Sequence, residues 1–428
     1  MRVTIHKHIA DPEQFKQLLL IWAQQFREIV FLDSNSYPQE YSNFDCLLAA
    51  DAFTSLKTDF HNAFDDLKQY QSNTKDWLFG YLAYDLKNNV ENLKSSNFDG
   101  LNFPDLFFFQ PKKIFLLKGN QLEIQYLFLC DDEVEDDFQE IVQSQFDAFE
   151  TLNKILVQQR ISKEFYIQKV TKMLEHIYAG DMYEANFCME FFAEDAIINP
   201  LEKFQKLNAI SQAPFSVFFK NNRQFLLSAS PERYLKKSGD TLISQPIKGT
   251  SKRSSDPVED EISRQYLETD AKERAENIMI TDLVRNDLSH TAQKGSVEVK
   301  ELCKISSFLQ VHQMISTVTS KLDPQYSPVD VLKTTFPMGS MTGAPKISVM
   351  KIIENLEETK RGLYSGAVGY FTPSGDFDFN VVIRSILYNQ ENQYVSFSVG
   401  SAITAQSIPE KEYEECLLKA KAMHEVLQ

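Results

Sequence analysis

The sequence predicts an α+β fold built on large antiparallel sheets with helices packed outside them. Strand-like runs follow one another in groups with helices interspersed, instead of alternating strictly with them. Hairpin-type turn signals separate several of these runs, as at Ser238-Gly-Asp240 and Pro373-Ser-Gly-Asp376. The chain has 428 residues, 43% of them hydrophobic and 24% charged, enough to bury a sizeable core.

Residues 13–26 carry Phe15, Leu18, Leu19 and Trp22 at helical spacing, and Ile29-Val-Phe-Leu32 reads as a strand. Aromatic-rich strands follow at Trp77-Leu-Phe-Gly-Tyr-Leu-Ala-Tyr84, Leu106-Phe-Phe-Phe109 and Ile114-Phe-Leu-Leu117. Leu122-Glu-Ile-Gln-Tyr-Leu-Phe-Leu129 alternates as a half-buried strand does. The acidic run Asp131-Asp-Glu-Val-Glu-Asp-Asp137 marks a turn, with a helix expected from there to about Gln159. A domain division is therefore expected near residue 155, between a sheet-rich domain of residues 1–155 and a larger one of residues 156–428.

The second part opens with a helix over about 163–178, ended by Gly180. A strand begins at Tyr183-Glu-Ala-Asn-Phe187. Asp256-Pro-Val-Glu259 then has the N-cap, proline and acidic third position of a helix start, and helical character runs to about Leu288. Thr342-Gly-Ala-Pro-Lys346 enters a helix ended by Arg361-Gly362. Strands at about 364–371, 377–387 and 394–399 form a meander. Ser407-Ile-Pro-Glu410 reads as the capping box of the last helix.

Lys plus Arg total 44 against 60 Asp plus Glu, a net charge of −16. That balance argues against a nucleic-acid or anionic-membrane partner. No run has the apolar length of a bilayer span, and the N-terminus lacks the apolar core of a signal peptide. The five cysteines are far apart and never form Cys-x-x-Cys, so neither a disulfide framework nor a zinc site is indicated. A cytoplasmic protein with reduced thiols is the expectation.

The stretch from Ser228 to Thr250 carries the first chemistry. Glu232 and Lys248 flank a hairpin that can bring a carboxyl and an amine together, an arrangement suited to proton transfer or nucleophilic attack. Glu273 and Glu276 lie three apart on a predicted helix, and Glu412 and Glu415 repeat the spacing on the last one. Facing each other, such pairs can hold Mg²⁺ through a few carboxylate oxygens. Taken singly, each pair also reads as a solvated helix face, with Glu415–Lys419 a surface ion pair. His312 reads more readily as a satisfied core histidine than as a catalyst, and Arg384 equally as a strand arginine in water or a carboxylate clamp. Gly339-Ser-Met-Thr-Gly-Ala-Pro-Lys346 fails the spacing of a nucleotide phosphate loop.

Together these blocks resemble the chorismate-utilising enzymes, which include anthranilate synthase component I, aminodeoxychorismate synthase component I, and the isochorismate and salicylate synthases. The resemblance runs over about residues 160–425. It is carried by Ser230-Pro-Glu-Arg233, Pro246-Ile-Lys-Gly-Thr250, Glu273-Arg-Ala-Glu276 with Asp282-Leu-Val-Arg-Asn-Asp-Leu288, Phe336-Pro-Met-Gly-Ser-Met-Thr-Gly-Ala-Pro-Lys346, and Tyr364-Ser-Gly366 with Arg384. It implies an anthranilate synthase component I-like fold. Lysine at the centre of Pro246–Thr250 is similar to aminodeoxychorismate synthases, where it attacks C2 of chorismate as the C4 hydroxyl leaves and ammonia then displaces it from C4.

By the same resemblance Glu232 is the general acid, and burial near Mg²⁺ is expected to lower the Lys248 pKa. Glu276 and Glu415, assisted by Glu273 and Glu412, would bind Mg²⁺. His312 and Thr342 would line the ring pocket, and Tyr364, Arg384, Lys419 and the backbone at Gly400 would hold the enolpyruvyl carboxylate. Ammonia is expected from a separate glutamine amidotransferase subunit, since no glutaminase triad or fused lyase is evident. The alternatives are anthranilate synthase component I and a non-catalytic regulatory subunit that binds chorismate or an amino acid. Phe31-Leu-Asp-Ser34 hints at a tryptophan site in the first domain. Three departures from the family stand out: Gly400-Ser-Ala402, Gln406, and Glu184, where amine-forming members often carry glutamine and water-using members lysine.

Overall fold

Many strands of this chain bury both of their faces, and that fixes the layering. In Glu28–Asp33, Val30 faces one hydrophobic cluster while Ile29 and Phe31 face another. Leu47 and Ala49 likewise separate from Leu48 and Ala50, and Leu226 from Leu227. Side chains alternate across a strand, so a sheet apolar at every position must be covered on both sides. The computed structural model describes residues 1–37, 41–145, 154–308 and 311–428.

Among these residues the strands join in one antiparallel network folded into two facing layers. One layer runs through Arg2–His8, Gln121–Leu127, the second half of Leu106–Lys118, the first half of Cys46–Thr58, Glu28–Asp33, Phe215–Asn221, Gln224–Ser230, Ser385–Asn389, Tyr394–Thr404 and Glu184–Ala193. The other runs from the first half of Leu106–Lys118 through Leu78–Leu82, Ala367–Phe371, Phe377–Val381, Arg233–Ser238 and Thr241–Ser244 to Val311–Lys321. Ile247–Lys252 and Glu298–Ser307 also pair with that last strand. The long strands Cys46–Thr58 and Leu106–Lys118 pass from layer to layer through a register shift between Ala52 and Thr54.

Phe79, Tyr81, Leu235, Val368 and Phe379 of the second layer meet Val30, Phe219, Leu226 and Leu387 of the first. The first layer's outer face is covered by helices through Phe15, Leu19, Tyr166, Val170, Phe204 and Met423. Strands from both sides of residue 155 interleave: Glu28–Asp33 pairs with Phe215–Asn221, and Leu78–Leu82 with Ala367–Phe371. No helix among the described residues is long and apolar enough to cross a membrane.

Helix Lys163–Ala179 begins on Ser162, whose hydroxyl accepts from Phe165 N, and ends at Gly180 with φ 85°. Asp256 caps Pro257–Thr269, and Asp270 both ends that helix and caps Ala271–Ser289. Other expectations are corrected. The helix expected to reach Gln159 is Val134–Gln143; residues 146–153 lie outside the described set, and Gln158–Gln159 is a short strand. Helix Lys346–Leu356 stops before Arg361 because Glu357 turns extended, its carboxylate held by the Arg361 guanidinium at 2.7 and 2.9 Å. The 377–387 strand is two strands, split where Arg384 takes φ 53° and the chain crosses between layers. Ser407 makes no capping box; its hydroxyl accepts from Thr404 N and donates to Ala402 O.

Candidate active site

Glu232 sits between strands Gln224–Ser230 and Arg233–Ser238, 5% exposed. Its backbone carbonyl accepts from Val381 N at 3.0 Å, which pins it to the neighbouring strand. Burial pushes its carboxyl up to about 7, while the Ser340 hydroxyl, the Lys248 charge and the Ile247 N–H pull the other way. A cavity of about 20 Å³ beside it, bordered by Pro246, Met338, Gly339 and Ser340, has room for about one water.

The expected hairpin forms, turning at Gly239 with φ 60°, but its arms are Arg233–Ser238 and Thr241–Ser244. Lys248 lies beyond it on Ile247–Lys252, which pairs with Val311–Lys321. The adjoining Gly249 has φ 90°, and a Cβ there would come within 3.1 Å of Glu273 Oε2. Glycine is what lets this strand approach the acidic helix. Asn277, one residue after Glu276, fastens the same helix by donating to Lys248 O at 3.4 Å and Met314 O at 3.0 Å.

The Lys248 amine lies 3.0 Å from Glu184 Oε1, and the Glu184 side chain is completely buried. Neither Glu184 carboxylate oxygen has a hydrogen-bond partner among the described residues, so the contact with Lys248 is an ion pair. Burial alone would lower the Lys248 pKa, but Glu184, Glu276 and Glu232 outweigh it and hold the amine above its usual value. The protein's own carboxylates thus act against the lowering expected of burial near Mg²⁺. Glu184 is the reason: it begins the strand Glu184–Ala193 directly beneath the amine. Gly343 makes that fit possible, since a Cβ there would lie 2.0 Å from Glu184 O. The Thr342–Lys346 stretch is therefore a strand-pairing device, Gly343 opposite Ala185. The Thr342 hydroxyl donates to Met338 O at 3.1 Å within its own turn, and the residue is fully buried.

Glu273 and Glu276 on Ala271–Ser289 face Glu412 and Glu415 on Pro409–Leu427, and Lys272 joins the helices. Its amine donates to Glu412 Oε1 at 3.5 Å and lies 3.7 Å from Glu276 Oε1. Burial pushes Glu276 up to about 7, and it raises Glu273 too, with Glu415 adding to that rise. Glu415 differs: its side chain is 44% exposed, and although its partial desolvation would raise it, Lys419 at 2.6 Å keeps it below the usual range.

As placed, no group of three His, Cys, Asp or Glu side chains among the described residues closes on a metal position. The donor set nonetheless suits a hard cation. Glu276 Oε1 and Glu412 Oε2 are buried with no hydrogen-bond partner, and unpaired carboxylate oxygens are what Mg²⁺ binds.

Lys419 Nζ also donates to Gly400 O at 2.8 Å, and Arg384 donates to Lys419 O at 3.4 Å, so these three stand together beside the acidic pair. Burial pulls the Arg384 pKa down, with Tyr364 and Glu415 opposing. Burial raises the Tyr364 hydroxyl well above its ordinary pKa; the Cys188 thiol donates to it at 3.8 Å. His312 is 1% exposed and flanks the Lys248 strand opposite Ser251. Both ring nitrogens are engaged: Nδ1 shares a hydrogen bond with Ser307 Oγ at 2.8 Å, and Nε2 with Asp260 Oδ1 at 3.1 Å.

Of the departures, Ser401 shares a hydrogen bond with the Tyr166 hydroxyl at 2.9 Å, and Gln406 is exposed in the turn before the last helix. Sequence reading missed Lys272, Asp260 and Ser340. Only Lys272 carried a signal, four residues before Glu276, and that spacing reads as an ordinary surface pair. At Phe31–Ser34, Asp33 is paired with Lys16 at 3.1 Å beside a cavity bordered by Ser34, Phe215, Arg233 and Asp378.

The chain is 30% identical to aminodeoxychorismate synthase component 1 of Bacillus subtilis (strain 168), with 88% of this chain and 80% of that protein covered. It is 33% identical to a probable chloroplastic aminodeoxychorismate synthase of Oryza sativa subsp. japonica; 93% of this chain matches, but it spans only 46% of that relative. Among solved structures, anthranilate synthase component I from Streptococcus pneumoniae TIGR4 superposes with a TM-score of 0.78 at 24% identity, over 91% of this chain and 93% of that one. The likeness in structure bears out the expected fold. A family model described as chorismate binding enzyme matches residues 27–425. The chain belongs to the chorismate-binding enzymes.

Proposed function

We propose that this protein is the synthase component of aminodeoxychorismate formation, converting chorismate and ammonia to 4-amino-4-deoxychorismate. The observation that carries the reading is the Lys248 amine, on a side chain 12% exposed, 3.0 Å from the fully buried Glu184 and acted on by the charges of Glu232 and Glu276. Relatives named aminodeoxychorismate synthase support it.

Lys248 donates a proton to Glu184, and its freed lone pair forms a bond to C2 of the ring. Both ring double bonds shift, C1=C2 to C1=C6 and C5=C6 to C4=C5, and the C4–O bond breaks. Glu232, with a carboxyl near 7, carries a proton to the leaving hydroxyl, which departs as water. Ammonia then bonds to C4 as both double bonds shift back and the C2–Nζ bond breaks, the new ammonium returns a proton to Glu232, and the enolpyruvyl group is retained. Arg384 and Lys419 are suited to the substrate's carboxylates. Mg²⁺ bound by Glu276 and Glu415, with Glu273 and Glu412, would offset the charge of the ring carboxylate. A glutamine amidotransferase subunit would supply the ammonia.

The test is incubation with chorismate, ammonium and Mg²⁺, with the products identified by mass. 4-Amino-4-deoxychorismate is the expected product. Anthranilate with pyruvate would overturn the reading in favour of the alternative named in the Streptococcus pneumoniae structure. No turnover with or without an amidotransferase would favour a binding subunit.

A further inference from the structure

The acidic cluster between the two helices contains a cation of its own. Lys272 reaches from Ala271–Ser289 to Glu412 on Pro409–Leu427, and four glutamates, Glu412, Glu276, Glu273 and Glu415, each act on its charge. A surface lysine paired four residues along its own helix would meet Glu276 alone; the contact to the opposite helix makes Lys272 a bridge. The fit is loose. Distances of 3.5 and 3.7 Å exceed the roughly 2.7–2.9 Å of a charge-assisted hydrogen bond. Glu276 Oε1 and Glu412 Oε2 stay buried and unbonded around it. The lysine side chain is 36% exposed, so its flexible stem has an open route to solvent.

We propose that Lys272 is the counter-cation of the four-glutamate cluster, that it yields this position when a divalent cation enters, and that it thereby sets the affinity for that cation. The inference rests on the metal-binding role proposed for these glutamates and is independent of which product is formed. An ammonium and a divalent ion repel, so cation entry and lysine withdrawal are coupled. Each lysine displaced is an expense that weakens cation binding, and its withdrawal moves the amine into water.

The experiment uses the full chain stripped of metal with a chelator, titrated with Mg²⁺ by calorimetry and with Mn²⁺ by electron paramagnetic resonance. Lys272→Met keeps the stem and removes the charge. It is expected to tighten both ions by about tenfold, and to enlarge the rise in melting temperature that saturating Mg²⁺ produces. Lys272→Arg, which keeps the charge, is expected to bind no more tightly than the parent. In the unsubstituted protein, acetylation of Lys272, followed by peptide mass, is expected to quicken when Mg²⁺ is added. Unchanged or weaker binding by Lys272→Met, or labelling indifferent to Mg²⁺, would overturn the proposal. So would the absence of divalent-ion binding in both parent and variant. These readouts need no chorismate, so a different product in the turnover assay would overturn the reaction and leave this result standing.

Discussion

Replacing Glu184 with glutamine keeps the shape of the side chain and removes the charge 3.0 Å from the Lys248 amine. At an effective dielectric near 20, two unit charges at that distance attract by roughly 5 kcal/mol. The net loss is smaller, because Glu276 and Glu232 still act on the amine. Stripping one partner from a buried pair costs about 3–5 kcal/mol, and with two carboxylates remaining a loss at or below the bottom of that range, about 2–3 kcal/mol, is the expectation. A thermal scan at neutral pH should show a melting midpoint several degrees lower. Turnover should fall by at least about tenfold, since the amine loses its proton acceptor. Glu184→Asp, which retains the charge one methylene further away, should recover part of both losses. A Glu184→Gln protein that melts with the parent and turns over at the parent rate would refute the pairing as an energetic and chemical element.

Three further outcomes follow from the same geometry. Lys248→Ala should reduce product formation at least about a thousandfold while chorismate binding, read by calorimetry, persists. The Glu232 carboxyl titrates near 7 in the fold against a reference of 4.5, so the fold favours its protonated form. Its contribution to stability is therefore present below about pH 4.5 and is lost as pH rises through about 7, and turnover requiring that proton declines above about 7. Glu232→Gln should flatten that part of a melting-temperature-against-pH curve. Gly343→Ala should destabilise the protein by about 3 kcal/mol or more in a denaturation assay, because a Cβ there would lie 2.0 Å from Glu184 O at a backbone φ of 145°.

Much of the fold was legible because local physics agreed with it. Ser162 and Gly180 bracket one helix, Asp256 starts another, and the break at Asp270 coincides with an acidic residue that can cap a helix N-terminus. The readings that failed did so where long-range contacts outvoted local pattern. Apolar residues continue through 377–387, yet the chain must change layers at Arg384. Ser407 has the spacing of a capping box, yet the turn behind it claims its hydroxyl. Glu232, Lys248 and the glutamate pairs stood out from residue type and spacing, and the structure joins them through Lys248, Lys272 and Lys419.

By itself the sequence determined the α+β class, the starts and stops of several helices, and which residues carry ionisable chemistry, because these depend on neighbours within a few positions. Tertiary structure alone decided that residues on both sides of position 155 share sheets, and that Glu184 lies beneath the Lys248 amine. It also decided that Lys272 spans two helices. Those facts depend on strands and helices far apart in the chain meeting at distances of a few ångströms, where burial strengthens each charge's effect on the next.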